Sequence, residues 1–133
     1  MNKTITSPVN AVESRSSYLW LEEDGILIFV HKPVQAHELK DAVENIELIK
    51  QSLQGKPRPI LADMSEVKSM TREAREEYAR AGGYNLATAI GMITRSPMGR
   101  IVANFFLTFN KPAVPTRLFS NYAAAKKWLM TFK

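Results

Sequence analysis

Residues 36–53 read AHELKDAVENIELIKQSL, and residues 59–63 read PILAD. In the first segment Leu39, Ala42, Val43, Ile46, Ile49 and Leu53 recur at helical spacing. Glu38, Lys40, Asp41, Glu44, Glu47 and Lys50 take the other face, which predicts an amphipathic helix over 36–53. Gly55 and Pro57 stop that helix, and Pro59-Ile60-Leu61-Ala62-Asp63 reads as a short buried strand. A helix delivered into a buried strand is the later half of a βαβ crossover, so the flanking segments determine the rest of the topology.

Upstream, Tyr18 to Glu22 and Ile26 to Val30 are aliphatic and aromatic and flank Glu23-Asp24-Gly25, whose Asp-Gly pair suits a tight hairpin. Downstream, Thr71 is placed to cap a second helix that carries Glu73, Glu76 and Glu77 and ends at Gly82-Gly83; its apolar face, Ala74, Tyr78 and Ala81, is thin. Leu86 to Thr94 is nearly continuous apolar sequence, as in a central strand covered on both faces. Ser96-Pro97 starts a third helix with Met98, Ile101, Val102, Phe105 and Phe109 on one stripe, while Phe106 and Leu107 widen its apolar face. Thr116 to Phe119 makes a last strand, and Ser120 or Asn121 caps a closing helix with Tyr122, Ala125, Trp128, Leu129 and Phe132 inward. The order ββαβαβαβα implies an α/β fold, a mostly parallel five-stranded sheet with an N-terminal hairpin and four helices.

The 133 residues fit one domain, divided into a flexible N-terminal arm over 1–16 and a folded domain over 17–133. Without cysteine the chain has no disulfide, thiolate metal site or cysteine nucleophile. Met1 to Ser17 lacks the apolar core of a signal peptide and no stretch approaches a membrane span, so the chain reads as soluble and cytoplasmic. Net charge is +5, unevenly placed. Residues 1–77 hold 10 basic and 13 acidic side chains, whereas residues 78–133 hold 8 basic and none acidic. An anionic partner is one reading of that bias; intermixing of the two halves in space would average it out.

Asp63-Met64-Ser65-Glu66-Val67-Lys68-Ser69-Met70-Thr71 resembles the segment after the central strand of STAS, or SpoIIAA-like, domains, written Asp-Leu-Ser-x-Val-x-x-hydrophobic-Asp-Ser. Leu118-Phe119-Ser120-Asn121-Tyr122 and Ala125-x-x-Trp128-Leu129 resemble the same family's closing strand and helix. The family includes bacterial anti-sigma-factor antagonists and shares its architecture with lipid-binding SEC14-type domains. The resemblance spans roughly residues 17 to 132 and implies a regulatory protein-binding module, with Asp63, Ser65, Ser69, Thr71 and Arg72 in the partner-binding loop. Thr71 stands where the family has Asp and Arg72 where it has the phosphorylated Ser, so the usual phosphorylation switch is missing as written.

Other candidates are fewer. Arg95, Ser96, Gly99 and Arg100 surround a helix start whose amides and two guanidinium groups suit an anion, although an N-cap with solvated arginines explains them too. His31 and His37, with Glu38 and Asp41, lack a third ligand at a recognisable spacing; the histidines read as surface residues, and no metal is expected. Asp63 suits a turn cap, and no catalytic set or cofactor motif is present, so the chain reads as a non-enzyme. Phe105, Phe106 and Phe109 suggest core, a homodimer seam or a ligand face. Two functions follow: a protein-interaction module, and alternatively a small-ligand or lipid-binding SEC14-like domain that takes an anionic ligand or lipid. Nucleic acid is disfavoured because the aromatics fall on predicted core faces.

Overall fold

The computed structural model describes residue 8, residues 10–81 and residues 85–133. The expected Gly82-Gly83 helix stop and the first seven residues of the arm lie outside these. Six strands form one sheet: β1 (Val12–Glu13), β2 (Ser17–Leu21), β3 (Leu27–His31), β4 (Arg58–Asp63), β5 (Ala87–Ile93) and β6 (Thr116–Phe119). Four helices accompany them: α1 (Leu39–Ser52), α2 (Arg72–Ala81), α3 (Pro97–Phe105) and α4 (Tyr122–Leu129). A π-helical turn over Phe106–Asn110 continues α3, and a 3-10 turn over Met130–Phe132 follows α4.

The strands lie side by side in chain order; β1–β2 and β2–β3 are antiparallel and the other three pairings parallel. One more strand is present than expected, because the arm is part of the sheet from Val12 onward, paired Val12 to Leu19 and Glu13 to Tyr18. The Ser14 hydroxyl accepts hydrogen bonds from the Ser16 and Ser17 amides at 3.2 and 3.1 Å, and Ser14 N donates to Ser17 O at 2.9 Å. This serine turn reverses the chain and lays residues 12–13 on β2. The expected hairpin between β2 and β3 is formed, with Gly25 at φ +89° and the Asp24 carboxylate accepting the Ile26 amide at 3.0 Å.

A monotonic strand order joined by right-handed crossovers puts every crossover helix on the same face. One core accordingly joins Leu19, Leu27, Phe29, Ile60, Ala62 and Met92 of the sheet to Ala42, Ile49, Ala74, Val102 and Phe106 of the helical segments. The alternate strand residues, Trp20, Ile28, Leu61 and Ile93, pack with Ala125 and Leu129 of α4 in a second core on the opposite face. The caps stand as expected: the side chains of Thr71, Ser96 and Asn121 accept the amides of Ala74, Gly99 and Ala124 at 3.2, 2.9 and 2.8 Å.

Two helix faces differ from the sequence reading. In α1, Leu39 and Val43 are exposed while Asp41 and Asn45 are buried. Arg15 and the serines of the turn reach these two polar residues across the layer, which rotates α1 away from its purely apolar stripe. In α3 the inward residues are Gly99, Val102 and Ala103, continued by Phe106, while Met98, Ile101, Phe105 and Phe109 face solvent. Gly99 explains this: a Cβ there would lie 2.5 Å from the Met64 carbonyl oxygen and 2.4 Å from Thr94 Oγ1. Only the glycine face can approach the β4 and β5 ends so closely, so the larger residues turn outward.

Candidate functional site

The outer face of α3 is the most exposed apolar feature among the described residues. Met98, Ile101, Phe105 and Phe109 follow one another at spacings of one helical turn and are 45%, 55%, 47% and 68% exposed. The Phe105 and Phe109 rings lie 4.7 Å apart, and the Arg75 guanidinium of α2 sits 5.2 Å from the Phe105 ring centre. Beside Phe109 a shallow groove runs between α2 and the π-helical turn, lined by Glu76, Ala79, Arg80, Asn110 and Lys111. Arg100 of α3 and Lys111, directly after the π-helical turn, are both exposed and cationic. The three phenylalanines singled out from sequence are thus divided: Phe105 and Phe109 belong to this surface, whereas Phe106 is buried beneath it.

The segment from Asp63 to Arg72 is fixed in place by its own turn and by hydrogen bonds to Gln35 and His37. The Asp63 carboxylate accepts the Ser65 amide at 2.9 Å, which makes the expected turn cap. Ser69 donates through its hydroxyl to Gln35 O, and His37 and Met70 form a parallel bridge in which His37 N donates to Ser69 O and Thr71 N to His37 O. Val67 and Met70 are buried, Thr71 caps α2, and Arg72 pairs with Glu76 at 3.1 Å. Of the five residues named for this loop, Ser69 and Arg72 are exposed. At the start of α3, Ser96 already occupies the Gly99 amide and Gly99 is packed against Met64 and Thr94, so the two do not open toward an anion; Arg100 is exposed.

A buried polar network was not foreseen. Asn45 Oδ1 accepts the Ser14 and Ser17 hydroxyls at 2.6 and 2.8 Å, and its Nδ2 donates to Ser16 Oγ at 2.9 Å and to Tyr78 OH at 3.0 Å. Arg15 donates to both Asp41 carboxylate oxygens, at 2.9 and 2.6 Å, and Glu38 N donates to the same carboxylate. Those bonds hold Asp41 below the ordinary carboxylate range. His31 and His37, expected at the surface, are both interior, with ring centres 4.9 Å apart and nearly perpendicular. Burial, with a smaller contribution from His37, pushes His31 down to about 3; burial likewise lowers His37 and raises Tyr78.

Next to this network lies a cavity of about 80 Å³ between the sheet and the α1–α3 layer, partly open to the surface. Its lining is apolar, including Phe29, Ile60, Met64, Met92, Val102 and Phe106, with His31 and Tyr78 as the two polar side chains among the described residues. Among the described residues no group of three or more metal-ligating side chains comes together, and no helix is long and apolar enough to cross a membrane.

Comparison with known proteins agrees with the fold. A family model described as a domain of unknown function, DUF7793, matches residues 19–133. No curated protein matches the chain. The crystal structure of an uncharacterized protein from the DUF3478 family with a SpoIIAA-like fold, from Shewanella loihica PV-4, is similar at 17% identity. The match covers 95% of this chain and 99% of that one, with a TM-score of 0.55. The architecture is therefore SpoIIAA-like, as the loop and closing-helix motifs implied.

Proposed function

We propose, from the premise that this chain belongs to the DUF7793 family of domains of unknown function, that it acts by binding a protein partner on the outer face of α3. The observation that carries this reading is the row Met98, Ile101, Phe105 and Phe109, four large apolar side chains left in water on one helix. Soluble domains seldom leave such a row uncovered unless something docks on it. Arg75 over Phe105, Arg100 on α3 and Lys111 just after the π-helical turn give the patch a mainly cationic border in which Glu76 is the acidic member, and no acidic residue follows Glu77 in the chain. The partner that fits is a protein surface with apolar side chains bordered by carboxylates. Arg72, one turn before Arg75 on α2, extends the contact toward the loop that the STAS resemblance marks.

Binding without catalysis is the activity in this reading. The polar groups of the Asp41 and Asn45 network are engaged with one another: Asp41 with Arg15, and the three serines and Tyr78 with Asn45. The lipid-binding alternative is less well supported, because a cavity of about 80 Å³ is roughly half the volume that encloses one benzene ring.

A photo-crosslinking side chain at position 105, used in cells of the source organism, would identify the partner, and calorimetry would then measure the reconstituted complex. Ile101→Ser and Phe105→Ser are each expected to weaken it about thirtyfold, as loss of a central apolar anchor does. Undiminished binding by both variants would overturn the proposal. So would dependence on the stripe only for binding anionic phospholipid vesicles, or only for self-association measured by sedimentation.

A further inference from the structure

His31 lines the apolar cavity with 3% of its surface exposed, and its Nδ1 is buried with no hydrogen-bond partner among the described residues. Leaving a buried polar atom unpaired is destabilising unless something else satisfies it. Tyr78, the other polar side chain of the lining, accepts the Asn45 amide through its phenolic oxygen. An ordered water needs two to four polar partners, which a wall this apolar does not readily supply.

We infer that the cavity is a binding site for a small neutral molecule, apolar apart from one hydroxyl group that pairs with His31. The polarity of the lining selects the class. Among the described residues no cationic side chain lines the cavity, so an ionised carboxylate or phosphate would be desolvated there without compensation. A neutral imidazole carries one donor and one acceptor nitrogen, so a hydroxyl can serve Nδ1 in either tautomer; Nδ1 is covered where it stands, and the ring must turn to present it to the cavity. The volume of about 80 Å³ suits roughly three or four non-hydrogen atoms, about half of what a benzene-sized cavity takes. Met64, Met70 and Met92 in the wall can adapt to a range of shapes, because unbranched thioethers repack with little strain.

The site is separate from the docking surface, since Val102 and Phe106 face the cavity while Ile101 and Phe105 face solvent. The same methionines supply the test. In protein labelled with 13C at the methionine methyl groups, 1-propanol is the probe and propionate the anionic control. Saturable shifts are expected at Met64, Met70 and Met92 with 1-propanol and not with propionate, while the exposed Met98 and Met130 respond little. His31→Leu should weaken the apparent affinity about tenfold, the effect of one lost hydrogen bond. Ala81→Leu, which fills the cavity from α2, should abolish saturable binding with His31 left in place. Linear shifts at all five of these methionines, equal binding of propionate, or unchanged affinity in either variant would overturn the inference. Ile101→Ser should leave the methionine shifts as they are, so failure of the docking reading and failure of this one are told apart.

Discussion

Replacing His31 with leucine should flatten the acid side of the stability curve. The imidazole is interior, beside Phe29 at 4.6 Å, His37 at 4.9 Å and Tyr78 at 5.9 Å between ring centres, and among the described residues no carboxylate bears on it. Burial, and then His37, push it from the ordinary 6.5 down to about 3. A depressed pKa means that the unfolded chain takes up the proton first. The stability from keeping His31 neutral is thus complete above about pH 6.5 and is lost progressively as pH falls toward 3. Between pH 7 and pH 5 the loss from this residue alone is about 2 kcal/mol, at 1.36 kcal/mol per pH unit below the unfolded value. His37, lowered mainly by burial, adds a loss of the same sign over this interval, and Asp41, held low mainly by Arg15, adds one only below about pH 5, so the informative quantity is the difference between two proteins. Urea unfolding at pH 7 and pH 5 measures it. Wild-type protein should lose about 2 kcal/mol more than His31→Leu over this interval, and equal losses would refute the burial of a neutral His31.

Two further substitutions test how the helices are seated. Gly99→Ala should destabilise by about 1–3 kcal/mol, because the new methyl meets the Met64 carbonyl and Thr94 and the backbone must shift; a urea midpoint within error of wild type would contradict the close approach of α3. Asn45→Ala should cost about 2–4 kcal/mol by leaving the hydroxyls of Ser14, Ser16 and Ser17 and the Tyr78 oxygen short of partners, and it should speed hydrogen exchange of the Ser16 and Ser17 amides.

What the sequence disclosed follows the range of the forces involved. Turns and caps were legible because each is settled within a few residues: Asp24-Gly25 in the hairpin, Thr71, Ser96-Pro97 and Asn121 at helix starts. The order of β2 to β6 and of the four helices was legible from periodicity, whereas β1 was not. The orientation of α1 was not, because Asp41 and Asn45 are drawn inward by Arg15 and the serines, which lie more than 25 positions away. A hint was present, since Asp41, Asn45 and Ile49 recur every four residues and so share a stripe. In α3 the balance of hydrophobicity pointed the wrong way: a glycine, not the bulkier Ile101 or Phe105, fixes the inward face. Hydrophobic pattern measures the gain from burial and says nothing of how closely two backbones can approach.

His31 and α3 together connect the interior of this domain to its surface. An unpartnered buried nitrogen commonly costs about 1–3 kcal/mol, an appreciable part of the stability of a domain of this size. Leucine at position 31 would remove that cost at neutral pH, so His31→Leu should be at least as stable as wild type at pH 7 while losing affinity for the cavity ligand. Helix α3 carries the cavity wall on one side, Val102 and Phe106, and the docking row on the other, Ile101 and Phe105. A ligand that orders Phe106 would therefore act on the same helical turns that carry Phe105 and Phe109. Any coupling between the two must be reciprocal: if 1-propanol strengthens partner binding, the partner must strengthen 1-propanol binding by the same factor. Measuring both affinities, each with and without the other component, decides whether the cavity regulates the surface, and equal affinities throughout would mean that the two sites are independent.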